Sequence, residues 1–283
     1  EMYEDRPYSK LFSTCLYNTL VEHPIKYPVI GTVDSVNSIT KEDLYACYNT
    51  FYHPSNMFIV VTGNVDPIKT IDIIKKHENK RKLVEEKEIV LKKYNEPDKV
   101  FKKEEIINMD ITIPKVAIAY KINGSKIKNI DIHYLYKYII NSFDLKLGST
   151  SLFTEKLRNA NLITNCIDAT GVLAGDHIIV LVNFEAKDPK KIIKLIEEEL
   201  KDITISKEDL ERRKKVNISN LVFMTDSIYK INSKINSDIM NYNKIDYDPI
   251  KKVRELDYKE INKLLSQIDL SNKSICIINP ENK

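Results

Sequence analysis

Histidine is the residue most often found holding a catalytic metal or moving a proton near neutral pH. It occurs five times, as His23, His53, His77, His133 and His177. No pair stands at the four-residue spacing that lets one helical turn present two imidazoles to a zinc ion, so both the direct HExxH and the inverted HxxEH patterns are missing. His77-Glu78 opens such a motif, but Arg81 occupies the place of the second imidazole. His23 and His53 each precede a proline, which restricts them to extended backbone and favours capping or surface roles over ligation. The six glycines are scattered, so no loop can cluster the backbone amides that cradle a phosphate, and the Gly-x-Ser-x-Gly elbow of hydrolases is absent. Gly148-Ser149-Thr150-Ser151 is the one turn of that flavour. It reads as a helix N-terminus, because Thr150 or Ser151 as a nucleophile would need a base that the sequence does not place. The four cysteines, Cys15, Cys47, Cys166 and Cys276, form no CxxC pair, which argues against a zinc knuckle and a disulfide framework and for reduced thiols in a cytoplasm.

Composition narrows the classes further. The 283 residues are enough for two ordinary domains with real cores. Forty-four Lys and Arg against forty-one Asp and Glu give a net charge of +3, which is not the basic face of a nucleic-acid binder. The longest apolar runs, 57–61 and 178–182, fall far below the roughly 20 residues of a membrane span. The opening Glu1-Met2-Tyr3-Glu4-Asp5-Arg6-Pro7 lacks the basic-then-apolar order of a signal peptide, and helical periodicity begins at once, so the chain is expected to be a piece of something longer.

The elements that must position any chemistry are well marked. Residues 8–23 read as a helix closed by Pro24. Thr40 and Asp43 form a capping box, after which Leu44, Cys47, Tyr48 and Phe51 recur on one helical face until Pro54. Residues 57–63 read as a buried strand, and Asp66-Pro67 opens another helix. Residues 75–105 are mostly charged, with acids and bases interleaved, and read as a solvated helix end and a connection between domains. Beyond it, strands are expected over 100–107, 115–122, 163–170, 177–184 and 274–278. Helices are expected over 130–143, after Ser151, over 188–203, from the Ser206/Asp209 capping box towards Met224, and over 227–240 and 257–265. The order of cap, helix, break and short strand over 39–67 returns weakly over 256–280, which suggests a repeat whose first copy is truncated.

Whole phrases within residues 2–67 carry a resemblance: MYEDRP, HPIKYPVIGTVDSVNSIT, LYACYNTFYHPSNM and VTGNVDP. They look like the post-catalytic half of the first domain in insulinase-type, pitrilysin-family zinc peptidases, in particular compact bacterial members related to processing peptidases. The likeness continues colinearly through GSTSLFTEKLRNANLI to the closing ICIINP. It implies an α+β, LuxS/metallohydrolase-like fold of two related domains, each a mainly antiparallel sheet packed against helices. Residues 1–76 would be the C-terminal part of the first domain, 77–99 a charged linker and 100–283 the second domain.

The resemblance also implies the chemistry. In such peptidases two His one helical turn apart and a distal Glu hold zinc, and the Glu inside the inverted motif acts as general base. By the register of the MY phrase all of these ligands lie upstream of Glu1, and only a slip of register would make Glu1 itself a ligand. No catalytic residue, metal ligand or bound zinc is therefore expected in this chain, although zinc belongs to the parent protein. Relatives also place an Arg, and seven residues on a Tyr, against the substrate. Arg158 holds the Arg position as a substrate-binding candidate, whereas Asn165, or Thr164 with one deletion, stands in place of the Tyr. The expected parent is a cytoplasmic metalloendopeptidase acting on enclosed peptides, with this chain inactive alone. The other reading is a non-catalytic, chamber-forming or partner-binding subunit of the same family. Expected partners are a peptide substrate and a homologous subunit or second copy, with neither nucleic acid nor membrane.

Overall fold

A computed structural model describes residues 5–80 and 88–281 of the protein. Glu1 and residues 81–87 of the charged connection lie outside them. Packing groups the chain into two compact units, each discontinuous in sequence: residues 1–30, 93–211 and 256–283 in the first, and 31–92 and 212–255 in the second.

The first unit is built on a five-stranded sheet. Its strands are β1 (Glu104–Met109), β2 (Lys115–Asn123), β3 (Asp168–Ala174), β4 (His177–Glu185) and β5 (Lys273–Pro280), in the spatial order β1-β5-β2-β4-β3. β1 and β5 run parallel, and every other pairing is antiparallel. β3 and β4 form a hairpin turned at Gly175, whose φ of +61° is the left-handed region that glycine adopts without a Cβ clash. At Gly171 in β3 an added Cβ would stand 2.5 Å from Tyr136 and 2.6 Å from Ile140, so a helix can lie directly against that strand.

Both faces of this sheet are covered, which is why β2 and β4 read as nearly unbroken apolar runs. On one face Val116, Ile118, Tyr120, Ile178, Val180 and Val182 pack against Leu135, Ile139 and Phe143 of α5 (Ile132–Leu147), Ile192 and Ile196 of α7 (Pro189–Glu199), and Ile261 and Leu265 of α11 (Tyr258–Leu265). On the other face Leu11, Cys15 and Leu16 of α1 (Pro7–Thr19), with Leu20 beyond its end, lie over Ala117, Ala119, Ile179, Leu181 and Cys276. The alanines bring the helix close enough for the Cys15 thiol to reach the carbonyl of Ala117 at 3.6 Å. Each fully buried leucine on this face contributes about 1.5–3 kcal/mol.

The second unit contains α2 (Val33–Asn37), α3 (Lys41–Phe51), α4 (Pro67–Glu78), the greater part of α8 (Lys207–Met224), α9 (Ile228–Tyr242) and α10 (Pro249–Glu255). The capping box of α3 forms as its sequence requires: Asp43 N–H donates to Thr40 Oγ1 at 3.1 Å, and Thr40 N–H to Asp43 Oδ2 at 2.9 Å. Pro67 takes the first turn of α4, with Asp66 as its cap. The buried strand expected over 57–63 does not form. Met57, Phe58, Ile59 and Val61 are exposed, no described strand pairs with them, and Asn232 donates to Val60 O at 3.2 Å and Thr62 Oγ1 at 3.1 Å. None of the described apolar side chains of this unit is buried; its buried residues are His53 and Asp238.

Candidate functional site

Arg158 is presented by α6 (Leu152–Asn159). Ser151 caps that helix, its hydroxyl accepting from Thr154 N–H at 3.1 Å, and Thr154 in turn donates to the carbonyl of Leu147 at 2.5 Å. Leu157 points into the core, which turns the next residue, Arg158, outward. Asn161, in the left-handed region at φ +53°, ends the helix. The 148–151 turn is thus a helix start, as its sequence reads.

The guanidinium of Arg158 is tethered at two points. One N–H donates to the carbonyl of Ser149 at 3.3 Å, and another lies 3.8 Å from the Cys166 sulfur. A guanidinium carries five N–H donors in a planar fork, and those not used here stand at an exposed position suited to a carboxylate or a peptide carbonyl.

Asn165, seven residues after Arg158, and Thr164 before it turn to a neighbouring carboxylate. Asn165 donates to Glu185 Oε2 at 2.9 Å and Thr164 lies 3.5 Å from the same oxygen. The other oxygen accepts the Tyr8 hydroxyl at 2.5 Å and a short ion pair from Lys115, whose ammonium also sits 4.3 Å from the centre of the Tyr8 ring. Burial raises the pKa of Glu185, but Lys115 and Tyr8 outweigh it, so the group is held below the ordinary carboxylate range and stays ionised. The Tyr8 phenol is pushed up to about 12, by burial first and then by Glu185.

A second polar cluster lies in the same unit. Lys121, buried within β2, donates to Glu96 at 2.5 Å and to the carbonyl of Lys99 at 2.9 Å. Glu96 also accepts the backbone N–H groups of Val21, Glu22 and His23 at 2.7–2.8 Å. Asp98 receives Lys126 at 2.6 Å and Asn123 at 2.7 Å, with His177 Nε2 at 3.2 Å. The sequence carried a signal for both clusters, namely charged residues at the ends or inside of strands buried on both faces, where a charge needs a partner.

The histidines are spread over both units. His23 Nδ1 accepts from Ile25 N–H at 3.3 Å and its ring rests on Tyr94, while burial draws its pKa below the ordinary value. His53 caps a single turn through Ser55. Among the described residues no three His, Cys, Asp or Glu side chains converge as a metal would require.

The profile described as peptidase M16 inactive domain matches residues 38–217. The zinc protease YmfH of Bacillus subtilis, itself described as uncharacterized, is 38% identical over 120 residues, 42% of this chain and 28% of that protein. The zinc protease PqqE of Helicobacter pylori is 24% identical over 220 residues, 75% of this chain and 48% of that protein. The chain therefore spans less than half the length of these relatives. In structure it resembles a putative M16-like peptidase from Alicyclobacillus acidocaldarius, with TM-score 0.87 at 22% identity over 99% of this chain and 67% of that one. A chain of complex III2 from Candida albicans follows the same fold at TM-score 0.75 and 16% identity, over 98% of this chain and 68% of that one. The family profile spans both packing units and the helix that carries Arg158, and on that ground the chain belongs to the M16, insulinase-type peptidase family through the domain described as inactive.

Proposed function

We propose that the chain is the C-terminal part of a zinc-dependent metalloendopeptidase that hydrolyses enclosed peptides, and that alone it is inactive because the zinc motif lies upstream. The observation that carries this reading is the match to the inactive domain, combined with relatives that bear the zinc-protease name and extend well beyond the matched region. The second unit supports it, because an apolar surface this extensive is what further polypeptide covers in an assembled protein. Residues 1–76 and 100–283 are then parts of two related domains, and 77–99 joins them.

In this reading zinc belongs to the parent protein, where it would activate water for attack on the peptide bond. The described residues contribute binding and shape. Arg158 is the proposed substrate-side group, its fork accepting a carbonyl or carboxylate of the peptide. The further proposed partner is a homologous subunit or a second copy. A cytoplasmic location is supported by the four free thiols, Cys15, Cys47, Cys166 and Cys276. No helix among the described residues is long and apolar enough to cross a membrane.

The inactive-domain description also favours a second reading, a chamber-forming or partner-binding subunit without zinc of its own. Zinc stoichiometry and peptide hydrolysis on the full-length protein separate the two. One zinc per chain with hydrolysis abolished by a chelator is expected for the peptidase, together with an HxxEH motif upstream. Full-length protein that is metal-free and inert would sink the peptidase and leave the subunit.

A further inference from the structure

We infer that Glu185 is a positioning residue for Arg158: its buried carboxylate gathers the start of α1, the start of β2 and the loop 164–166 into one fixed seat beside the guanidinium. The inference rests on the proposed substrate role of Arg158. A carboxylate offers two oxygens with about four acceptor directions. Here all four are taken, by Tyr8 and Lys115 on one oxygen and by Asn165 and Thr164 on the other. The donors come from three parts of the chain that nothing in sequence brings together: Tyr8 lies 177 residues from Glu185, Lys115 70 and Asn165 20.

Position explains why the loop needs this anchor. Residues 164–166 are exposed between α6 and β3 and form no regular structure, so their own backbone does not hold them. Glu185 is the last residue of β4, in register with Lys115, and its side chain is nearly inaccessible. Fixing Asn165 fixes its neighbour Cys166, which is one of the two groups touching the guanidinium. Asn165 supplies a short amide donor that reaches Glu185 Oε2 at 2.9 Å.

Two measurements test this. In hydrogen exchange on the chain, Glu185→Gln and, separately, Asn165→Ala are expected to speed exchange over residues 160–168 about tenfold, the scale of one lost charged hydrogen bond, with β2 and β4 unchanged. Unchanged exchange in both variants overturns the inference. Should Glu185→Gln loosen the whole sheet, Asn165→Ala alone decides, since it leaves the carboxylate in place. In the full-length peptidase Arg158→Ala is expected to raise KM with little change in kcat, Glu185→Gln to do the same more weakly, and the double variant to match Arg158→Ala. An equal KM increase from Glu185→Gln in the wild-type and Arg158→Ala backgrounds overturns the positioning role. No KM effect from Arg158→Ala overturns the substrate role of Arg158 instead, and the exchange measurement then stands as the test of Glu185.

Discussion

Glu96 and Lys121 meet at 2.5 Å with their side chains almost wholly out of solvent. The same carboxylate caps the backbone N–H groups of the turn after α1, so one ion pair joins that turn, the segment ahead of β1 and the middle of β2.

Removing one partner leaves the other charge buried and alone. Lys121→Ala or Glu96→Ala should therefore destabilise the first unit by about 3–5 kcal/mol, whereas Lys121→Met with Glu96→Leu should recover part of that loss. Recovery stays incomplete because the N–H groups of Val21, Glu22 and His23 still lack an acceptor. Urea unfolding followed by exchange of β2 and β4 amides measures both; equal stability of the single and double variants would contradict the pairing.

The pair also sets an acid limit. Burial alone would raise the Glu96 pKa, but Lys121 and three backbone N–H donors push it down to about 2 from an ordinary 4.5. A carboxyl depressed on folding stabilises above its unfolded pKa and loses that contribution as pH falls through the folded one. Stability should accordingly be level above pH 5 and fall between about 4.5 and 2. Glu96→Gln should flatten that limb without abolishing it, because Asp98 is likewise held low, chiefly by Lys126 and Asn123. A limb of unchanged slope in urea midpoints against pH would count against Glu96 as its source.

The thiols should fall into two classes. Cys15 and Cys276 lie in the core beneath α1, and burial pushes the Cys276 thiol up to about 12 and Cys15 higher still, whereas Cys47 and Cys166 are exposed. Alkylation at pH 8 should modify Cys47 and Cys166 rapidly and leave Cys15 and Cys276 protected until unfolding, with rates at least a hundredfold apart, on the order expected for thiols sealed from thiolate formation. Peptide mapping by mass spectrometry reads the order directly.

The uncovered apolar side chains of the second unit should bind a hydrophobic dye. Ile59→Lys with Val61→Lys should lower dye fluorescence and aggregation while leaving the unfolding of the first unit within about 0.5 kcal/mol of the parent, because neither residue is buried. Dye fluorescence unchanged by the two substitutions would show that these residues are covered in solution.

Local instructions were legible in the chain. Thr40, Asp66, Ser151 and Ser206 act as the helix caps their sequence announces, because each cap uses atoms within three or four residues of itself. The apolar runs of β2, β4 and β5 announce strands covered on both faces. The phrases of residues 2–67 announce the family, since kinship is written in residue order. Residues 57–63 carry the same strand instruction and do not become a strand, because a strand is completed by a partner and no described segment supplies one. The seats of Arg158 and Glu96 were decided by tertiary structure alone. Glu185 with Tyr8, and Glu96 with Lys121, are contacts across many intervening residues, and only the folded sheet brings such charges close enough, and buries them deeply enough, to make each require the other.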